Sequence, residues 1–155
     1  MEEMVKVMAT GTFDLLHLGH IYFLKEAKKL GDELVVVVAT DATVRKLKHE
    51  PVNPEHVRLS LIKELKMVDK AYLGYEDDMY KIVEEVKPDI IALGFDQIHD
   101  ENKIKAELKK RNINAEVVRL KEFKNGSDLE GTRKIISKII SAYEFQKQME
   151  RIESR

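Results

Sequence analysis

Apolar residues along the chain fall into short unbroken runs that alternate with longer, helically spaced stretches. Val5-Lys6-Val7-Met8-Ala9-Thr10 has the content of a strand, and Leu34-Val35-Val36-Val37-Val38-Ala39 that of a strand buried on both faces. Between them Leu18, Ile21, Phe23, Leu24, Ala27 and Leu30 fall largely at helical spacing, and Gly31 supplies a stop signal. This is a βαβ unit. A second helix is predicted from about Pro54 to Lys66, with Asn53 as its cap and Val57, Leu61, Ile62 and Leu65 on the inner face. A short strand over Val68–Leu73 follows, then a helix over Asp78–Val86. Lys87-Pro88-Asp89 leads into the strand Ile90-Ile91-Ala92-Leu93, ended by Gly94. A helix over about Glu101–Lys110 and a strand over about Ala115–Leu120 complete the alternation.

Strands that alternate with helices imply an α/β fold with a parallel sheet covered on both faces, because right-handed crossovers place the helices there. Ligands then gather at the carboxyl ends of the strands. From about Thr132 the pattern turns into one long helix, with Ile135, Ile136, Ile139, Ile140, Tyr143, Met149 and Ile152 recurring at threes and fours. That stripe, with Tyr143 and Phe145, is read as core or subunit contact in preference to a base-stacking surface. No repeat, low-complexity tract or Pro/Gly/Ser linker divides the 155 residues, so residues 1–155 are read as a single domain.

Composition removes several classes of function. With 27 basic and 28 acidic side chains, no overall field draws the protein to nucleic acid or to an anionic membrane. The absence of cysteine excludes a disulfide framework, thiolate zinc and a thiol nucleophile. No apolar run approaches the roughly 20 residues of a membrane span. The start Met1-Glu2-Glu3-Met4 lacks the basic region of a signal peptide, and a cytoplasmic location is expected. Charged residues make up 35% of the chain, against roughly 25% in an average domain, and Trp is absent, a balance like the Lys/Glu enrichment of hyperthermophiles.

The candidate chemistry sits directly after the first strand, where Gly11-Thr12-Phe13-Asp14 leads into His17-Leu18-Gly19-His20 at the start of the first helix. Backbone N–H groups at a helix start, with the positive end of the helix dipole, form a phosphate seat. Gly11 and Gly19 let that backbone come close to a ligand. His17 and His20, three residues apart, share a helical face and reach one phosphate together. Two imidazoles there stabilise charge in an in-line displacement without forming a covalent intermediate. Asp14 orients a histidine or holds a neighbouring turn. The competing interpretations are that the histidines cap the helix or bind a structural ion, and no third metal ligand stands near them in sequence.

At these residues the chain resembles the cytidylyltransferase-like nucleotidyltransferases, whose hallmark is a Gly-Thr-Phe-Asp turn followed by His-x-Gly-His. The resemblance covers most of the chain. It implies a Rossmann-like domain in which both histidines contact the triphosphate, Mg²⁺ screens the phosphates without direct protein ligands, and pyrophosphate leaves. It also implies that Gly11, Thr12, Phe13, Asp14, Leu18 and Gly19 bind the nucleotide.

Three further segments fit at lower specificity. Among the basic residues Arg45, Lys46, Lys48 and Arg58, the resemblance assigns Lys48 to catalysis and Arg58 to the nucleotide. In Leu93-Gly94-Phe95-Asp96-Gln97, Asp96 and Gln97 offer hydrogen bonds to a base or ribose. In Ser127-Asp128-Leu129-Glu130-Gly131-Thr132-Arg133, only Thr132 and Arg133 match the family's phosphate-binding turn, and Ser127 with Glu130 equally fits a capping box.

The Leu-Gly-Phe-Asp-Gln segment is similar to the Leu-Gly-aromatic-Asp-Gln motif of archaeal FAD synthases. That similarity implies transfer of AMP from ATP to FMN, giving FAD, by a homodimer. Cytidylyl transfer from CTP to glycerol 3-phosphate or another phospho-alcohol is the alternative, since the amino-terminal motif is shared. Phosphopantetheine adenylyl transfer fits less well, because its turn carries Thr-x-Gly-His. A non-catalytic nucleotide-binding regulator is the alternative of another class, motivated by Glu130-Gly131 and opposed by the presence of both histidines.

Overall fold

A computed structural model describes residues 3–47, 49–122 and 131–155. The elements, in chain order, are β1 (Lys6–Gly11), α1 (Leu18–Lys28), β2 (Glu33–Val38), α2 (Asp41–Lys46), α3 (Glu55–Lys63), β3 (Lys70–Leu73), α4 (Lys81–Val86), β4 (Ile90–Leu93), α5 (Glu101–Lys110), β5 (Glu116–Arg119) and α6 (Thr132–Glu153). The five strands form one parallel sheet in the order β3-β2-β1-β4-β5. Strand order therefore reverses at β1, and the crevice between β1 and β4 is the switch point where ligands of such sheets bind.

Both sheet faces are buried, as the all-valine run of β2 predicts. Val36 and Val38 pack with Val7, Ala9, Leu24, Ala27 and Ile62 on the α1/α3 face. Val35 and Val37 pack with Met8, Ile82, Val83, Ile91, Ile104 and Leu108 on the α4/α5 face. Two apolar layers of this kind leave no tolerance for a register slip, which would not exchange a polar face for an apolar one but would misalign every helix above it.

The strands and long helices follow the sequence pattern, with differences at α2, at α6 and at α3, where Leu61 of the expected inner face is exposed. Helix α2 is not marked by periodicity because it has only six residues; its sequence signal is Thr40, whose hydroxyl accepts from the Thr43 N–H at 3.2 Å. Asn53 is not the cap of α3: Pro54 takes that position, with no side-chain hydrogen bond, and the Asn53 N–H is instead held by Asp14. The apolar stripe of α6 is not core, since Ile135 and Ile136 are only half-buried and Ile139, Ile140, Tyr143, Phe145, Met149 and Ile152 are exposed.

One charged side chain lies wholly inside the fold. Arg58 of α3 has 0% exposure, and its guanidinium donates to the carbonyls of Thr12 (2.8 Å), Ala39 (2.8 Å) and Asn53 (2.9 Å) and to Asp41 Oδ1 (2.7 Å). These partners end β1, follow β2, open α2 and precede α3, so one planar fork ties together four segments at the carboxyl edge of the sheet. The guanidinium in turn holds the Asp41 carboxyl below its ordinary range. Replacing Arg58 with Met keeps the length but leaves the three carbonyls and the carboxylate unpaired. The expected loss is about 3–5 kcal/mol of unfolding free energy, as for other broken buried pairs, read from the urea midpoint. A loss below about 1 kcal/mol, the worth of an exposed pair, would show that water replaces the fork.

Candidate active site

The turn between β1 and α1 is shaped by one aromatic ring. Phe13 is 3% exposed, adopts φ 54°, and folds back over Gly11, where a Cβ would stand 2.9 Å from the ring. Gly11 is thus needed for the close approach of Phe13. The same ring meets His20 edge-on, with centroids 5.5 Å apart, and stacks on Phe23 at 6.5 Å. Its ring walls in His20.

Asp14 serves the second of the two roles expected of it. Its carboxylate accepts from the N–H groups of Val52 (2.5 Å) and Asn53 (2.9 Å), fastening the loop ahead of α3 to the turn. Its backbone carbonyl accepts from the Thr132 hydroxyl at 2.9 Å, which brings the start of α6 to the same place. The amino-terminal ends of α1 and α6 therefore converge on the turn 12–17.

The two histidines cap α1 and face each other. His17 Nδ1 accepts from the Gly19 N–H at 3.1 Å, and His20 Nδ1 accepts from the His17 N–H at 3.4 Å, a reciprocal capping box made of imidazoles. The rings stack with centroids 3.7 Å apart and planes 25° from parallel. An Nδ1 that accepts carries no proton, so each neutral ring bears its hydrogen on Nε2. Burial, reinforced by His17, lowers the pKa of His20 to about 3. Capping and ligand contact are thus compatible, since they use opposite nitrogens of the same rings. A simple seat of free helix-start amides is not what the structure offers, because the histidines themselves take the Gly19 and His17 N–H groups.

Beyond β4 the segment Gly94–Asp100 crosses the mouth of the switch point. The β1–β4 ladder ends at Ala9 and Ala92, while β1 continues to Gly11 beside β2. In the gap, the Gln97 carboxamide donates to the Thr10 carbonyl (2.7 Å) and accepts from the Gly94 N–H (2.9 Å), extending the ladder by a side chain. One N–H and one lone pair of that amide are thereby engaged within the protein. Asp96 next to it is exposed. Arg119, at the end of β5, draws the segment inward through Nη1 to the carbonyls of Gly94 (2.8 Å) and Gln97 (3.0 Å), Nη2 to that of His99 (2.6 Å), and Nε to Glu101 (2.6 Å).

Of the remaining residues singled out in sequence, Leu18 is exposed, Thr12 offers its carbonyl to Arg58, and Arg133 is exposed on the first turn of α6. Arg58 supports the crevice from within and is completely buried. Arg45 pairs with Glu50 and Lys46 with the Glu76 carbonyl. Lys48 and the segment Ser127-Asp128-Leu129-Glu130 lie outside the described residues. Arg119 carries no sequence assignment; its only signal is a cation at the carboxyl end of an otherwise apolar strand. Among the described residues no group of three His, Asp or Glu side chains is placed to hold a metal ion.

The family model described as Cytidylyltransferase-like matches residues 8–151. The chain belongs to the cytidylyltransferase-like family. Among its relatives in that family, the FAD synthase of Aciduliprofundum boonei is 61% identical over 137 residues, covering 88% of this chain and 91% of that protein. The FAD synthase of Methanothermus fervidus is 58% identical over 135 residues, covering 85% and 92%. A crystal structure from Thermoplasma volcanium, described as a lipopolysaccharide core biosynthesis protein, is 56% identical with a TM-score of 0.78, covering 79% of this chain and all of that one. A single α/β unit is thus common to the chain and its structural neighbour.

The state of His20 fixes a pH dependence. Its folded pKa of about 3 lies below the ordinary 6.5, so between those values the unfolded chain binds a proton that the folded ring refuses. Stability should therefore fall as pH drops from 6.5 toward 3 and be unaffected by this group above that window. His20→Asn, which keeps an acceptor for the His17 N–H and removes the titration, should flatten the slope. In NMR the ring protons of His20 should not shift between pH 8 and 5; a midpoint near 6.5 would mean that the ring is solvated in solution.

Proposed function

We propose that the protein is an FMN adenylyltransferase: the phosphate of FMN attacks the α-phosphorus of ATP, that P–O bond forms as the bond to the departing pyrophosphate breaks, and FAD results. The observation that carries this is high identity to archaeal FAD synthases over nearly the full length of both partners, joined to a crevice whose histidines are built as donors. The attacking phosphate is already anionic and pyrophosphate is a stable leaving group, so the reaction needs neither a general base nor a general acid. It needs charge to be neutralised and three groups to be held in line. A His20 ring that stays neutral to about pH 3 suits such a role, because it donates from Nε2 without taking up a second proton.

In this scheme His17 and His20 contact the triphosphate as catalytic residues, with Lys48 as their cationic partner. Asp96 holds base or ribose at the β4 end. Thr12, Leu18, Gly19, Thr132 and Arg133 border the phosphates where α1 and α6 converge. ATP enters as its Mg²⁺ complex. Asp14, the acidic side chain of the turn, has both oxygens engaged with backbone N–H groups. That fits an ion carried on the phosphates, as Mg²⁺ usually is in such sites. No helix among the described residues is long and apolar enough to cross a membrane, and we assign the enzyme to the cytoplasm, where its substrates are.

Protein mixed with Mg²⁺, FMN and ATP should yield FAD on chromatography. Formation of a CDP-alcohol from CTP and glycerol 3-phosphate in the absence of FAD would reject the assignment. His17→Asn and His20→Asn preserve an acceptor for each cap while withdrawing Nε2; kcat should fall by at least about 10²-fold in each, as for loss of one transition-state donor. Asp96→Ala should instead raise KM for ATP more than it lowers kcat, since base and ribose contacts act equally in ground and transition states.

We also infer a homodimer through α6. This 22-residue helix buries none of its side chains, yet repeats apolar residues from Ile135 to Ile152 along roughly 26 Å, at 1.5 Å per residue. Light scattering at assay concentration should give twice the chain mass of 18.0 kDa. A monomer that makes FAD at full rate would exclude the dimer without touching the reaction.

A further inference from the structure

We propose that Arg119 is a positioning residue for the nucleotide, acting by turning the backbone of the segment after β4 so that its carbonyls face the protein and its N–H groups face the crevice. The inference rests on the proposal that this segment holds ATP. Arg119 Nη1 and Nη2 gather the carbonyl oxygens of Gly94, Gln97 and His99 at 2.6–3.0 Å. In a trans peptide the C=O of one residue and the N–H of the next point in opposite directions, and the described residues have no cis bond. Fixing those three carbonyls therefore directs the N–H groups of Phe95, Ile98 and Asp100 away from Arg119.

Polarity of this kind matters for a phosphorylated nucleoside. Ring nitrogens, ribose oxygens and phosphates are acceptors, and an inward-turned set of carbonyls removes the groups that would repel them. The arginine itself is anchored, since Glu101 at the start of α5 takes Nε at 2.6 Å and the side chain is only 28% exposed. Gln97 fixes the same segment from the other side, through Thr10 and the Gly94 N–H. The segment is thus held at both edges of the crevice, while Asp96 between them remains exposed. A lysine has the charge but not the planar fork that spans three carbonyls.

The test is Arg119→Lys, with ATP alone titrated by calorimetry and FMN alone followed by flavin fluorescence. The expected result is a rise in ATP Kd and KM of about tenfold or more, equivalent to about 1.4 kcal/mol, with FMN Kd unchanged within about twofold and kcat reduced less than KM is raised. Wild-type ATP affinity in Arg119→Lys would reduce the role to charge and overturn the proposal. An equal loss of ATP and FMN affinity with a fallen melting temperature would make the arginine merely structural, which also overturns it. If Arg119→Lys does not fold, Glu101→Ala releases Nε and leaves the fork in place; it should weaken ATP selectively, and equal effects on both ligands would reject the role. Because ATP binds without acceptor, the result stands whether or not FMN is the second substrate.

Discussion

The carboxyl edge of the sheet is organised around a buried cation. A parallel sheet delivers its strand ends to one edge, but the loops that leave them carry carbonyls with no ladder partner. Arg58 answers that problem for the β1–β2 half, collecting Thr12, Ala39 and Asn53 and pairing with Asp41. The turn between β1 and α1 depends on it. Asp14 can reach the Val52 and Asn53 amides because Arg58 has already drawn Asn53 in, and the Gly11–Asp14 turn is fixed at both ends.

Arg119 solves the same problem on the other side of the switch point, for the loop leaving β4. The two arginines differ in one physical respect. Arg58 is sealed beneath the loops and fixes where they run, whereas Arg119 retains some exposure and fixes how the peptide planes are turned. Between them the histidine pair sits at the start of α1, pressed by Phe13 and ringed by loops that neither fork allows to drift. The site is preorganised before any substrate arrives, which is where an enzyme that relies on alignment must place its stabilising interactions.

The sequence makes legible what depends on periodicity and on short motifs. The Val35–Val38 run, the helical spacing from Leu18 to Leu30 and the Gly-Thr-Phe-Asp/His-x-Gly-His pair lead to the sheet, its covering helices and the family to which the chain belongs. What it hides depends on distance in space. Arg58 and Gln97 read as ligand contacts because their residue types suit ligands; only the fold shows that they also bind backbone carbonyls 5 to 87 residues away. Phe13 reads as part of a binding motif, yet its ring closes on Gly11 and His20. Arg119 is invisible for the converse reason: its partners lie 18 to 25 residues back in a loop with no period of its own. In α6 the stripe is plain, but periodicity states that a face is apolar and not what covers it.

The imidazole capping box has a consequence for selectivity toward ions. Two histidines stacked 3.7 Å apart at a solvent-reaching crevice would ordinarily scavenge zinc or nickel, which bind an unprotonated ring nitrogen. Here each free lone pair is at Nδ1 and already receives a backbone N–H, so metallation would require a tautomer exchange and the unravelling of the first turn of α1. Metallation of either ring is thus coupled to loss of the cap that starts α1.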